Sequence, residues 1–497
     1  MSQNRASGIL LHPTSLPGPH GIGSLGSEAY HFVDFLAAAG HSLWQILPLG
    51  PTGYGDSPYS ALSAFAGNPL LICLERLVEA GDLDPQDIAG VVMEEGRAHY
   101  RFIHGFKARL LRKAAYTFES CGDRSRQQAF TAFCTEQASW LDDYTLFQAL
   151  RRQFREASWN TWPQEIRQRQ PTALQHWRQH LTEALLEERY AQFVFHEQWQ
   201  ALKNYANHRG IRLLGDLPIF VAFDSADVWS RPELFHLDEE GRPTLVAGVP
   251  PDYFSASGQR WGNPLYRWEQ MAADGFAWWK TRLHSALAQT DLLRIDHFRG
   301  FEACWAIPVE EATAINGSWQ PVPGADLFTS LRQEWGTLPL IAEDLGVITP
   351  EVEALRDRFD LPGMKILQFA FDSGADNPYL PHNLPRRCVV YTGTHDNATT
   401  LGWWQSLSRQ AQQQVAAYLG RATPNIPWDL IHTAMTSVAD LCILPLQDVL
   451  SLDDSARMNR PGQPEANWCW RYTPDALSDG LAQRLRQLNR LSGRLAE

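Results

Sequence analysis

Eight short apolar runs, each closing on a turn or polar residue, punctuate this chain: GILLH (8–12), SLWQILPL (42–49), IRLLGDLPIF (211–220), DLLRIDH (291–297), PLIAEDLG (339–346), MKILQFAFD (364–372), CVVYTGTHD (388–396) and DLCILPLQD (440–448). Runs of this length, rich in Leu, Ile and Val, read as strands buried on both faces, the condition of a parallel sheet. Stretches between most of them, such as 27–39, 350–358 and 406–419, read as helices. Eight strand and helix alternations predict an α/β fold of the (β/α)8 TIM barrel type.

A bare barrel needs ~250 residues, whereas this chain has 497. The excess falls in two places within one catalytic domain spanning 1–497. Over 70–207 the pattern is helical: Leu174, Trp177, Leu181 and Leu185 recur every three to four residues ahead of Tyr190, Phe193, Phe195 and Trp199, which is the spacing of a helix core. A second, loop-rich insertion over 220–268 follows the third strand, so it rises over the carboxyl-terminal face of the barrel. No set of runs remains for a separate C-terminal β domain.

Charge and cysteine usage remove several function classes. A net charge of −13 argues against a nucleic-acid ligand, which needs a concentrated basic surface. Seven cysteines without a Cys-x-x-Cys pair disfavour a disulfide framework or structural zinc and suggest a reducing compartment. The first apolar cluster, Ile9, Leu10 and Leu11, is too short for a signal-peptide core, and no segment reaches membrane-spanning length. The expectation is a cytoplasmic protein without a membrane partner, a monomer or small homo-oligomer.

Two motifs point elsewhere and fail on context. Gly21, Gly23 and Gly26 have the dinucleotide-binding spacing, but Pro13, Pro17 and Pro19 separate them from the first strand, where that fingerprint requires a tight strand-to-helix turn. HEQWQ (196–200) begins like a zinc-protease helix but carries Gln200 in place of the second histidine. No phosphate-binding Gly-Lys-Ser/Thr loop and no Gly-x-Ser-x-Gly elbow occur.

In a barrel, catalytic groups come from the carboxyl ends of several strands. Asp216 closes the third run, Asp296 the fourth, Glu343 the fifth and Asp396 the seventh, with Arg294, His297 and His395 beside them. Any one of these acids could cap a helix or close a turn; four on one face call for chemistry. Arg294 and Asp296 lie two residues apart and share a face of the strand, which keeps the aspartate ionised as a nucleophile must be. Glu343 follows an apolar run that raises a carboxyl pKa, and its longer side chain suits a general acid. A nucleophilic and a protonated carboxyl are the equipment for retaining cleavage of a glycosidic bond. The insertion PPDYFSASGQRWGNPLY (250–266) brings Tyr253, Phe254, Trp261 and Tyr266 over the same face, and aromatic faces pack against sugar rings.

Segments along nearly the whole chain resemble the amylomaltase, or 4-α-glucanotransferase, family of the α-amylase clan: HPTSLPGPHGIGSLG, LPLGPTGYGDSPYSALSAFAGNP, GDLPIFVAFDSADVW, VAGVPPDYFSASGQRWGNPLY, LRIDHFRGF, IAEDLG, YTGTHDNATTLGWW and PGQPEANWCWR. The resemblance implies transfer of α-1,4-glucan segments between maltooligosaccharide or starch-type chains through a covalent glycosyl-aspartate, with neither cofactor nor metal. It implies Asp296 as nucleophile, Glu343 as general acid and base, and Asp396 as a third acid gripping ring hydroxyls. Arg294, His297 and His395 become supporting residues, and Tyr59 stacks on the donor sugar. Ser57, Asp216 and Asn467 are expected to hydrogen-bond glucose units, and Tyr253, Phe254, Gln259 and Trp261 to cover the subsites. The triad alone does not separate a transferase from an α-amylase-like hydrolase. Two further rivals are a non-catalytic glucan-binding protein and a metal-dependent barrel hydrolase.

Overall fold

A computed structural model describes residues 5–251, 255–463 and 466–495. All eight runs form strands: β1 (Ala6–Leu10), β2 (Leu43–Gln45), β3 (Arg212–Pro218), β4 (Leu292–Asp296), β5 (Leu340–Ala342), β6 (Gly363–Ile366), β7 (Cys388–Tyr391) and β8 (Leu441–Pro445). They pair in parallel in the order β6-β7-β8-β1-β2-β3-β4-β5. The Ala342 N–H donates to Pro362 O at 2.9 Å next to β6, which draws the two ends together into the expected TIM barrel.

Side chains alternate along each strand. Leu10, Leu43, Leu214, Ile341, Met364, Val389 and Ile443 fill the lumen, while Ile9, Trp44, Leu213, Val390 and Leu444 face the surrounding helices. Each such fully buried side chain contributes about 1.5–3 kcal/mol. β1 and β2 approach so closely that a Cβ on Gly8 would collide with the Leu43 carbonyl, so only glycine serves there.

The outer layer includes helices Ser27–Ala38, Thr182–His208, Ala277–Gln289, Pro350–Arg358 and Asp479–Leu491. Two expected helices break. The segment 406–419 is interrupted because Ser408 caps a new helix, Arg409–Tyr418, by accepting the Ala411 N–H. The apolar stripe around Leu181 splits into Pro171–His180 and Thr182–His208, with Leu174 and Leu185 buried on either side.

The segment after β3 is not all loop. Strands Leu245–Val249 and Gln259–Pro264 pair with each other, and Ala303–Pro308 and Ser318–Pro321 from beyond β4 complete a four-stranded antiparallel sheet. Gly248, Gly262 and Pro264 disguise these strands in the sequence, since glycine and proline are depleted from strands. Beyond β8 the chain crosses the carboxyl face and then packs helix Asp479–Leu491 against Ser27–Ala38, forming no separate domain. Among the described residues no helix is long and apolar enough to cross a membrane.

Candidate active site

Strand parity decides which polar groups enter the cleft. On β4 the residues alternating with the outward Leu293 and Ile295 are Leu292, Arg294 and Asp296, and the same alternation turns Asp216 inward from β3. Arg294 is buried and bridges the two acids: Nη1 donates to Asp216 Oδ2 at 2.6 Å and Nη2 to Asp296 Oδ1 at 2.9 Å. Burial opposes the guanidinium charge, but the two carboxylates outweigh it and hold Arg294 well above its ordinary value. The Asp296 side chain keeps 29% exposure, whereas that of Asp216 has 0%.

Asp216 therefore lies beneath the cleft floor. Burial pushes its carboxyl up against the pull of Arg294. Its Oδ2 also accepts the Tyr59 hydroxyl at 2.7 Å, and its Oδ1 has no partner among the described residues. Sequence reasoning expects Asp216 to meet glucose directly; in the structure its contacts are Tyr59 and Arg294.

Glu343 emerges one residue past β5, where its N–H donates to Ile295 O at 3.0 Å. Its carboxyl accepts the His297 N–H at 2.7 Å and the Leu345 N–H at 2.9 Å. Burial pushes it up to about 7; Arg294 and the two backbone N–H groups pull it down, and the Asp296 charge adds to the rise. The His297 N–H reaches Glu343 because His297 adopts a left-handed backbone with φ of 53°. Its ring meets Trp261 edge to face at 4.8 Å. Burial pulls the imidazole down to about 4, so it is neutral near pH 7, and Nε2 is buried without a partner among the described residues.

Past β7, His395 and Asp396 occupy a turn. His395 stacks on Tyr59 with ring centroids 5.2 Å apart and planes at 13°, and Trp468 packs against both rings. Asp396 is more open than Asp296 or Asp216, with 46% side-chain exposure, and its Oδ1 lies 3.4 Å from His395 Nε2. Buried Asp448 anchors the turn from below: its carboxylate accepts the Thr392 hydroxyl at 2.5 Å, the Thr400 N–H at 2.7 Å and the Thr400 hydroxyl at 2.6 Å.

The remaining expected residues are placed as follows. Ser57 accepts the Tyr59 N–H at 3.3 Å. Asn467 spends its carboxamide on its own loop, accepting the Arg460 N–H at 2.9 Å and donating to Gln463 O at 2.6 Å. Gln259 and Trp261 share a strand, and Gln259 Oε1 accepts the Trp261 indole N–H at 3.2 Å. Tyr253 and Phe254 lie outside the described residues. No cluster of three or more His, Cys, Asp or Glu suited to a metal ion occurs among the described residues.

Sequence reasoning missed Asp448, Arg457, Asn459 and Trp468. Asp448 had a usable signal, since it closes the eighth apolar run as Asp396 closes the seventh. Trp468 lies within PGQPEANWCWR, next to the expected Asn467; Arg457 and Asn459 precede that segment with neither apolar run nor period, and only the tertiary path brings them to Asp396.

Comparison with known proteins identifies the family. Residues 11–477 match a family model described as 4-alpha-glucanotransferase. The chain is 52% identical to 4-alpha-glucanotransferase of Thermus thermophilus over 100% of both chains, and 51% identical to that of Synechocystis over 99% of both. Its fold superposes on a solved amylomaltase of Streptococcus agalactiae, in complex with acarbose, with a TM-score of 0.96 and 38% identity, covering 99% of this chain and 100% of that one.

Proposed function

The chain belongs to the 4-alpha-glucanotransferase family, and we propose that it carries out that activity by double displacement, with Asp296 as nucleophile and Glu343 as general acid and base. The observation that supports this reading is the contrast between the two carboxyls: Asp296 touches a fixed guanidinium, whereas Glu343 is pushed up to about 7. Asp296 Oδ1 is held by Arg294, leaving its second oxygen to attack the anomeric carbon of a donor α-1,4-glucan. Glu343 gives its proton to the glycosidic oxygen, which departs with the leaving chain as a free 4-hydroxyl. In the second half, Glu343 takes the proton of an acceptor 4-hydroxyl as that oxygen attacks the same carbon and releases Asp296.

In this scheme Asp396 grips hydroxyls of the reacting sugar, and Tyr59, His395 and Trp468 form the aromatic wall against which it lies. Trp261 and Gln259, with Tyr253 and Phe254, cover the cleft, and exclusion of water there lets a sugar resolve the intermediate. Asp216 supports Tyr59 and Arg294 from below. Ser57 and Asn467 shape the loops that border the sugar. The substrates are maltooligosaccharides and longer starch- or glycogen-type chains, handled in the cytoplasm without cofactor or metal.

Incubation with maltotriose tests the reading. Glucose and a ladder of longer oligosaccharides are expected without matching growth of reducing ends; products dominated by net hydrolysis would refute transfer. Asp296→Asn and Glu343→Gln are expected to abolish turnover while retaining maltooligosaccharide binding, and substantial activity in either overturns its assigned role.

A further inference from the structure

Between β8 and the last helix the chain crosses the carboxyl face, and residues 457–459 grip the turn that carries Asp396. The Asn459 N–H donates to His395 O at 3.0 Å, and Asn459 Nδ2 donates to Asp396 Oδ1 at 2.6 Å. The Arg457 guanidinium ties the two together, donating from Nη2 to Asp396 O at 2.6 Å and from Nε to Asn459 O at 2.7 Å. The crossing segment is itself fixed, because Met458 O accepts the Trp468 N–H at 2.6 Å and Arg460 Nη2 donates to Asp454 Oδ2 at 2.9 Å.

Asp396 thus has one oxygen occupied by a neutral donor and the other without a hydrogen bond among the described residues. The charged and titratable groups around it are His395 at 3.4 Å, Arg457 on its main-chain carbonyl, and Tyr59 across the stacked rings. Neither histidine nor arginine holds its carboxylate as closely as the Asn459 amide does. An exposed carboxylate has free rotation about its side-chain bonds, and a single short hydrogen bond to a fixed amide removes it.

We propose that Asn459 is a positioning residue for Asp396: its amide pins Oδ1 so that Oδ2 faces the hydroxyls of the donor sugar. The inference rests on the reading of Asp396 as the acid that grips the reacting sugar. Loss of the amide leaves Asp396 charged but unaimed, which weakens the transition state more than the ground state.

The test compares Asn459→Ala, Asn459→Asp and Asp396→Asn with the parent enzyme on maltotriose. Asn459→Ala is expected to lower kcat about 10- to 100-fold, the range of a charge-assisted hydrogen bond, with KM changed by less than about threefold. Asn459→Asp places two carboxyls within hydrogen-bond distance, so one proton is shared and the pair regains a donor only while protonated. Its activity relative to the parent is therefore expected to approach parity near pH 5 and to fall at least about tenfold by pH 7.5, a pH response that a purely structural role would not produce. An Asn459→Ala enzyme within about twofold of the parent, or an Asn459→Asp enzyme with the parental pH profile, overturns the proposal. If Asn459→Ala fails to fold, the Asn459→Asp profile decides alone. An active Asp396→Asn enzyme would instead refute the underlying reading of Asp396.

Discussion

Replacing Arg294 with methionine removes the one cation that bridges Asp216 and Asp296 while keeping an unbranched side chain of similar reach. Arg294 is buried, and its two contacts of 2.6 and 2.9 Å join a fully enclosed carboxylate to a partly open one. Breaking a buried pair by deleting one partner costs about 3–5 kcal/mol, because the other charge is left stranded. Unfolding entropy of about 2.1 cal/mol/K per residue, taken over 497 residues, is about 1 kcal/mol/K, so Tm falls by about 3–5 °C. The cost is set by Asp216 more than by Asp296, since only Asp216 lacks access to water. Adding Asp216→Asn to Arg294→Met removes the stranded charge and should return at least half of the lost Tm.

The pH dependence follows from the direction of the Asp216 shift. Its folded-state value already lies above the unfolded one, because burial outweighs the pull of Arg294. Such a group contributes stability at low pH that is lost as pH rises through the folded value. Removing Arg294 raises that value further, so the Arg294→Met deficit should be larger at pH 8 than at pH 5. Activity separates from stability: the double variant regains Tm but not kcat, since Asp296 still lacks its guanidinium, a loss of about 1.5–3 kcal/mol or roughly 10- to 150-fold in kcat. Differential scanning calorimetry and glucose release from maltotriose give the two readouts. A single variant within about 1 °C of the parent, or a double variant no more stable than the single, refutes this account of the bridge.

Three further outcomes follow from the same geometry. The alkaline limb of kcat/KM should titrate at about 7, because Glu343 must carry its proton in the free enzyme; a profile flat from pH 6 to 8 contradicts that assignment. In Asp296→Asn the carboxyl of Glu343 should titrate below its parental value, since the charge that helps raise it is gone, and carbon-13 NMR of labelled glutamate measures the shift. Asp448→Ala should lower Tm and kcat together, as the Thr392 and Thr400 donors lose their acceptor, at about 1–3 kcal/mol for a buried network of this kind; an unchanged kcat would show that the Asp396 turn holds without it.

The eight strands were legible because a buried parallel strand leaves a dense apolar run, and their polar ends were legible because strand parity is strict. Asp296 and Glu343 could be assigned contrasting environments from local sequence alone, an adjacent arginine for one and an apolar approach for the other. The small antiparallel sheet was hidden, since Gly248, Gly262 and Pro264 mask its alternation and half of it lies beyond β4. Asp216 shows a different limit: parity turns it inward, but only the packed barrel reveals that Tyr59 and Arg294 close over it. Asn459 and Arg457 marked no pattern at all, because their meaning is a contact across 61 to 63 residues of chain.

The cleft also explains how one glutamate could serve both halves of the proposed reaction. Glu343 is raised by burial and by the charge of Asp296, and lowered by Arg294 and by two backbone N–H groups. While Asp296 is a free carboxylate, its charge favours a protonated Glu343, the form needed to release the leaving chain. Once Asp296 is bonded to the sugar that charge is gone, whereas Arg294 and the N–H groups of His297 and Leu345 remain. The balance then moves toward the carboxylate, the form that must accept the proton of an incoming 4-hydroxyl. No movement of Glu343 is required; the change of role comes from the change of charge on its neighbour. That economy depends on Arg294 staying charged throughout, which its contact with Asp216 continues to favour after Asp296 is bonded to the sugar.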